Sequence, residues 1–151
     1  MKKRIWGVIF PVPERFINRF FEGKTVFLKY LPRRIGTLRS GMKLLFYASG
    51  GSKTIVGEAL VEKLEFMPLK EALQRYSDKM FITKEEALEY AQRFGNRKEK
   101  DLLLLHLSNM LKYPKQIAYS KPITMAGQYL DKNGYMSIVN RVGPCVEELG
   151  N

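Results

Sequence analysis

Two strand-length apolar runs, Met42 to Ala48 and Lys53 to Phe66, stand on either side of Ser49-Gly50-Gly51-Ser52. The first run is dense in β-forming residues, and the small residues after it suit a tight turn. A connection that short joins antiparallel neighbours. The middle of the chain is therefore committed to a hairpin. Gly57 inside the second run predicts a bulge or a close backbone approach, so that run reads as one long strand or a bent pair.

Further elements follow on both sides. Ile5 to Phe10 reads as a strand ended by Pro11. Pro13 suits the first turn of a helix and Gly23 its stop. Between them Phe16, Ile17, Phe20 and Phe21 form one apolar stripe, with Arg15, Asn18, Arg19 and Glu22 facing elsewhere. Thr25 to Tyr30 alternates as a strand, Val26 and Leu28 on one face, Phe27 and Lys29 on the other. Beyond the hairpin, Pro68 opens a helix bearing Leu69, Ala72, Leu73 and Tyr76. Thr83-Lys84-Glu85-Glu86 has the form of a capping box, which starts a helix running to about Phe94. Leu102 to Leu107 reads as a buried strand. Lys115–Lys121 and Tyr135–Val142 are further strand candidates, with Asp131-Lys132-Asn133-Gly134 as a turn between them.

The order is strand, helix, three strands, two helices, three strands. It does not alternate as a parallel α/β sheet would. The expectation is an α+β single domain over residues 1–151: a mixed β-barrel of about six strands with flanking helices. The length, 151 residues, fits one such domain. No apolar run approaches the ~18 residues of a membrane span. Pro11, Pro13, Glu14 and Arg15 break the stretch that a secretory signal would need. The single cysteine, Cys145, forms no internal disulfide, so a cytoplasmic location is the expectation.

Composition narrows the chemistry. With one histidine and one cysteine, zinc sites built from those residues lack ligands. No glycine-rich nucleotide cradle and no nucleophile elbow is present. His106, after four leucines, reads as a hydrogen-bonded core or edge residue. No cofactor and no metal is expected. The charge is more informative: 26 basic residues against 15 acidic give +11, and residues 1–57 hold twelve basic and two acidic residues. An excess concentrated in the first third points to a polyanion, because Lys and Arg replace counterions along phosphates. A basic surface kept for solubility is the competing reading.

Ile5-Trp6-Gly7-Val8-Ile9-Phe10, a helix, then Glu22-Gly23-Lys24-Thr25-Val26-Phe27-Leu28-Lys29 resembles the opening of PUA-like domains, in the style of ASCH and EVE domains. Leu38-Arg39-Ser40-Gly41-Met42 resembles their next turn, with Met42 where they carry an acid, and Pro114 to Pro122 resembles their late strand segment. Over essentially its whole length the chain is similar to the DUF365 family. The resemblance implies a PUA-like barrel that binds RNA or holds a modified nucleobase or nucleoside, in RNA modification, translation or nucleic-acid surveillance.

Candidate residues follow. Lys24, Lys29, Tyr30, Arg33, Arg34 and Arg39, with Lys53 in the hairpin turn, suit a phosphate backbone beside a stacked base. Trp6, Tyr47 and Ser49 are candidates for a base pocket, although core burial is the commoner fate of a large aromatic. The resemblance also carries an enzymatic alternative. Some ASCH proteins are similar to amidohydrolases that act on acylated pyrimidines with a Lys, a Thr and a Glu. Lys24 matches the lysine and Glu86 is the candidate glutamate, but Phe27 stands where the hydroxyl is expected. A third reading is a protein-interaction module, which would need a sizeable exposed apolar patch.

Overall fold

The computed structural model describes residues 4–30, 38–93 and 101–142. In chain order the elements are β1 (Ile5–Pro13), α1 (Glu14–Phe21), β2 (Val26–Lys29), β3 (Lys43–Ser49), β4 (Thr54–Pro68), α2 (Leu69–Tyr76), α3 (Lys84–Arg93), β5 (Asp101–Ala118), β6 (Gln128–Asp131) and α4 (Lys132–Val142). The strands form one six-stranded sheet, ordered β2-β5-β4-β3-β1-β6 and curled into a half-barrel. The expected segments of β1, β2, β3, β4 and β5 thus share one curved sheet.

The hairpin is as expected: β3 and β4 pair antiparallel, from Lys43 opposite Leu60 to Tyr47 opposite Ile55. Gly57 sits at a register shift in the β4–β5 ladder, and a Cβ there would lie 2.5 Å from the Leu111 carbonyl oxygen. The close approach expected at that glycine is real. β1 runs parallel to β3 and continues through Pro11 to Pro13. Pro11 does not end it, because antiparallel β6 pairs with β1 only as far as Ile9. Beyond that point no strand among the described residues pairs with that side of β1, and a missing N–H is tolerated there.

The last quarter of the chain differs from expectation. Lys115–Ala118 is the end of the 18-residue β5, with no break at Pro114. Gln128–Asp131 is a strand that the alternation did not reveal. Tyr135–Val142 is helical, burying Tyr135, Ile138, Val139 and Val142 at helical spacing. Asp131 ends β6 and Lys132 begins α4, so no turn between strands lies here, and the Gly134 N–H donates to Asp131 Oδ1 at 2.8 Å. A short run of apolar residues fits both periods, and the helix is the one that buries these side chains against the sheet.

The curled sheet has two apolar faces. Val8, Phe10, Phe27, Phe46 and Leu104 fill its concave side with Phe16, Ile17 and Phe20 of α1. Ile9, Leu45, Tyr47, Ile55 and Tyr113 pack on the other side beneath α4. There Glu58 is buried, and it accepts from Tyr113 Oη at 2.8 Å and from Tyr135 Oη at 2.9 Å, with Lys43 Nζ at 3.4 Å. Burial pushes both phenols above their ordinary value, and the adjacent carboxylate adds to it. Those bonds tie α4 to the sheet. His106 is half-buried in the middle of the sheet, paired with Val26 of β2 and Lys63 of β4, and bonds Glu65 Oε1 through Nε2 at 2.7 Å.

Candidate functional site

A cavity of about 420 Å³ opens at one end of the concave face. Its walls come from separate elements: Pro11–Pro13 at the end of β1, Arg15 and Phe16 of α1, Phe27–Lys29 of β2, Ser49 at the end of β3, Phe81 and Ile82, the Glu86–Glu89–Tyr90–Arg93 face of α3, and Met125. Local sequence explains the arrangement. Pro13 precedes α1 and turns the chain off the sheet, so Arg15 and Phe16 meet the rim. The capping box fixes where α3 begins: Glu86 N–H donates to Thr83 Oγ1 at 3.1 Å and Thr83 N–H to Glu86 Oε1 at 2.7 Å. Residues 86, 89, 90 and 93 then fall on one helix face.

The walls are aromatic. Phe27 stacks on Phe81 at 5.1 Å and on Phe10 at 5.9 Å, and Phe16 meets Phe81 edge-on at 6.0 Å. Behind them Phe20 stacks on Phe46 at 4.8 Å. The Arg15 and Arg19 guanidiniums lie 4.4 and 4.7 Å from the Phe16 ring centroid.

Lys29 is the exceptional group. It lies on the last position of β2, where every residue is buried, and its own exposure is 2 %. No carboxylate among the described residues pairs with it. Its ammonium lies 4.8 Å from the Phe10 ring centroid. Loss of water lowers its pKa from 10.5 to about 8. A buried lysine without a counter-ion is costly, so a cavity that retains one is a place where an acceptor is expected to bind.

Glu86 is held differently. Arg19 Nη1 donates to Oε1 at 2.6 Å and Nη2 to Oε2 at 3.1 Å. The bond from Arg19 pulls its pKa down from 4.5 to about 2, and the Thr83 backbone N–H assists. It is a fixed carboxylate on the cavity wall. Tyr90 Oη accepts from the Tyr30 N–H at 2.9 Å, and burial lifts the Tyr90 phenol to about 12.

The candidate residues are scattered by this geometry. Lys29, Ser49 and Glu86 line the cavity. Lys24 does not: its Nζ donates to the Asp78 carbonyl at 2.8 Å, outside it. Lys24 and Glu86 therefore do not face one pocket. Tyr30 is buried behind Tyr90, with ring centroids 5.2 Å apart. Trp6 and Tyr47 are not cavity residues. Tyr47 is packed beneath α4 on the opposite face, and Trp6 lies 37 % exposed beside Tyr135 on that face. The β-strand period decides this for Tyr47, which with Ile9 points away from the side that Phe10 and Phe46 fill. Trp6 shares the parity of Phe10, and the register shift between Ile5 and Gly7 accompanies its turn to the other face. Lys53 is an exposed turn residue at φ 58°. Arg39 Nη2 donates to the Ile5 carbonyl at 2.6 Å, at the start of β1. Arg33, Arg34, Phe94 and Cys145 lie outside the described residues.

The sequence reading missed Phe16, Phe81, Tyr90, Arg15, Glu89, Arg93 and Met125 as cavity residues, and took Lys29 for a surface cation. One signal was available: Phe27 and Lys29 share a face of β2, and Phe27 is a core residue.

The fold is similar to that of an ASCH protein of known structure. A crystal structure of the ASCH protein from Zymomonas mobilis superposes with a TM-score of 0.71 at 17 % identity, covering 89 % of this chain and 94 % of that one. A serine-to-alanine variant of the same protein gives 0.77 at 16 % identity over 93 % and 99 %. Identities this low speak for the fold alone. The chain belongs to the DUF365 family, a domain of unknown function, which it matches over residues 5–132. An uncharacterised protein of Methanocaldococcus jannaschii is 32 % identical over 109 residues, which is 67 % of this chain and all of that relative. No helix among the described residues is long and apolar enough to cross a membrane.

Proposed function

We propose that the cavity receives a nucleobase, from single-stranded RNA or as a modified nucleoside, and that the domain serves as a binding module in RNA modification, translation or surveillance. The observation that carries this reading is Lys29: a buried ammonium with no ion-pair partner among the described residues, in a cavity with aromatic walls. An ammonium donates and never accepts, so its partner is a ring carbonyl, a ring nitrogen or a phosphate oxygen. Phe16, Phe81 and Tyr90 offer aromatic surface for a splayed-out base. Arg15 and Arg93 at the walls, with the basic excess of residues 1–57, supply charge for the adjoining phosphates.

The amidohydrolase alternative finds less support. Lys24 is occupied outside the cavity, Phe27 offers no hydroxyl, and Glu86 is held as a carboxylate far below neutral pH. A base or acid working near pH 7 needs a pKa near 7. Among the described residues the exposed large apolar side chains are Trp6 of β1, Phe66 of β4, Met125, and Met136 of α4.

The test is anisotropy of a labelled single-stranded oligoribonucleotide at fixed salt. Losing a charged hydrogen bond costs about 1.5–3 kcal/mol, roughly ten- to a hundredfold in affinity. Lys29→Met is expected to weaken binding by that factor, while Lys24→Arg stays near wild type. Equal affinity of Lys29→Met and wild type would place the binding face elsewhere.

A further inference from the structure

Lys29 offers more than a hydrogen bond. A lysine amine becomes a nucleophile toward carbonyl carbon when an apolar pocket strips it of water and no carboxylate holds its proton. Lys29 meets each condition: it is 2 % exposed, it has no ion-pair partner among the described residues, and Phe10 is the ring its ammonium rests against. The two carboxylates in the cavity wall are Glu86 and Glu89, and Glu86 is occupied by Arg19. β2 is buried on both sides, so the amine is held on a fixed strand rather than on a loop.

We propose that Lys29 captures a nucleobase bearing an exocyclic formyl group as an imine. This rests on the nucleobase reading of the cavity. An ordinary base carbonyl belongs to an amide-like ring and only accepts a hydrogen bond, whereas an aldehyde is electrophilic at carbon. The neutral Lys29 nitrogen adds to the formyl carbon to give a carbinolamine. Its hydroxyl leaves with a proton as water, and the remaining C=N double bond joins base and lysine. One water is released for each imine formed, and nothing is oxidised or reduced. The lowered pKa of about 8 leaves about a tenth of the amine neutral at pH 7, against less than a thousandth at the ordinary 10.5.

The experiment mixes the protein with an oligoribonucleotide carrying one 5-formylcytidine, adds cyanoborohydride to reduce any imine to a stable amine, and maps the adduct by mass spectrometry. A second arm measures anisotropy with the same oligonucleotide carrying cytidine, without reductant. The expected result is a single adduct on Lys29, formed at least tenfold faster than on any exposed lysine. It should be unchanged in Lys70→Arg, a variant of an exposed α2 residue, and absent in Lys29→Met and Lys29→Arg. Lys29→Met keeps a chain of similar length and removes the buried charge, so its melting temperature, at or above that of wild type, separates lost chemistry from lost folding. Adducts spread over surface lysines, or an equal yield in Lys29→Met, would overturn the proposal. Binding of the cytidine oligonucleotide with no Lys29 adduct on the formyl one would overturn the imine and leave the nucleobase reading standing. Absence of both would remove the two together.

Discussion

At the scale of the residue, Lys29 is held at a cost to stability. Its folded pKa is about 8, below the ordinary 10.5 of an unfolded chain. Below pH 8 both states carry the charge and the full burial penalty is present. Between 8 and 10.5 the unfolded chain holds the extra proton, so stability rises with pH across that window. At 1.36 kcal/mol per pH unit the gain is at most about 3 kcal/mol. Lys29→Met should therefore be about 1–3 kcal/mol more stable than wild type at pH 7, and urea titrations from pH 7 to 10.5 should show the rise in wild type only. Glu86 has the opposite sign. Its pKa is depressed to about 2, so its contribution is present above 4.5 and lost as pH falls toward 2. Glu86→Gln loses the paired Arg19 bonds and weakens the capping box, worth about 1 kcal/mol. For a chain this long that is a fall in Tm of about 2–4 °C at pH 7, shrinking as the pH approaches 2. The capping role of Glu86 was legible from Thr83 three positions before it. The Arg19 partner was not, because residues 67 positions apart meet only through the packing of α1 against α3.

At the scale of the element, what was legible is what local rules govern. The hairpin, the α1 stripe and the start of α3 each rest on a turn, a period or a cap within a few residues. The failures are where tertiary contact chooses between two local options. Tyr135–Val142 carries β-branched residues, and the helix forms because Tyr135 reaches Glu58 while Ile138 and Val142 cover the sheet. β6 is four residues long and is held by pairing to β1, a partner more than a hundred positions away. Gly57 is an element-scale requirement that was visible beforehand. Gly57→Ala would set a Cβ 2.5 Å from the Leu111 carbonyl and 2.7 Å from Phe21 Cζ. Since the first of these is backbone, the β4–β5 ladder has to yield. The expected loss is about 1–3 kcal/mol, read from the denaturant midpoint. A midpoint within error of wild type would show that the ladder relaxes freely.

At the scale of the whole molecule, the basic excess and the cavity belong to the same half of the chain. Residues 1–57 carry the surplus charge and supply β1, α1, β2 and β3, which form most of the cavity wall. The charge asymmetry was legible as arithmetic. The cavity was not, since its walls are brought together from both ends of the hairpin and from α3. If a single strand crosses the cavity mouth, Arg15 and Arg93 contact its phosphates. Replacing both with alanine should then reduce the slope of log affinity against log salt by about 1.4, at 0.7 for each contact. An unchanged slope would move the strand off this rim.

Lys29 is a buried cation with no ion-pair partner among the described residues, and the most direct test of the proposed ligand role is its own titration. NMR of lysine side chains, with the Lys29 resonance assigned by its loss in Lys29→Met, follows the group from pH 6 to 11 with and without a short single-stranded oligoribonucleotide. The expected result is titration near pH 8 in the free protein, well below the other lysines, and an upward shift of a unit or more when the acceptor binds. Titration with the other lysines near 10.4, or a free-state value that the oligonucleotide leaves unmoved, would contradict it.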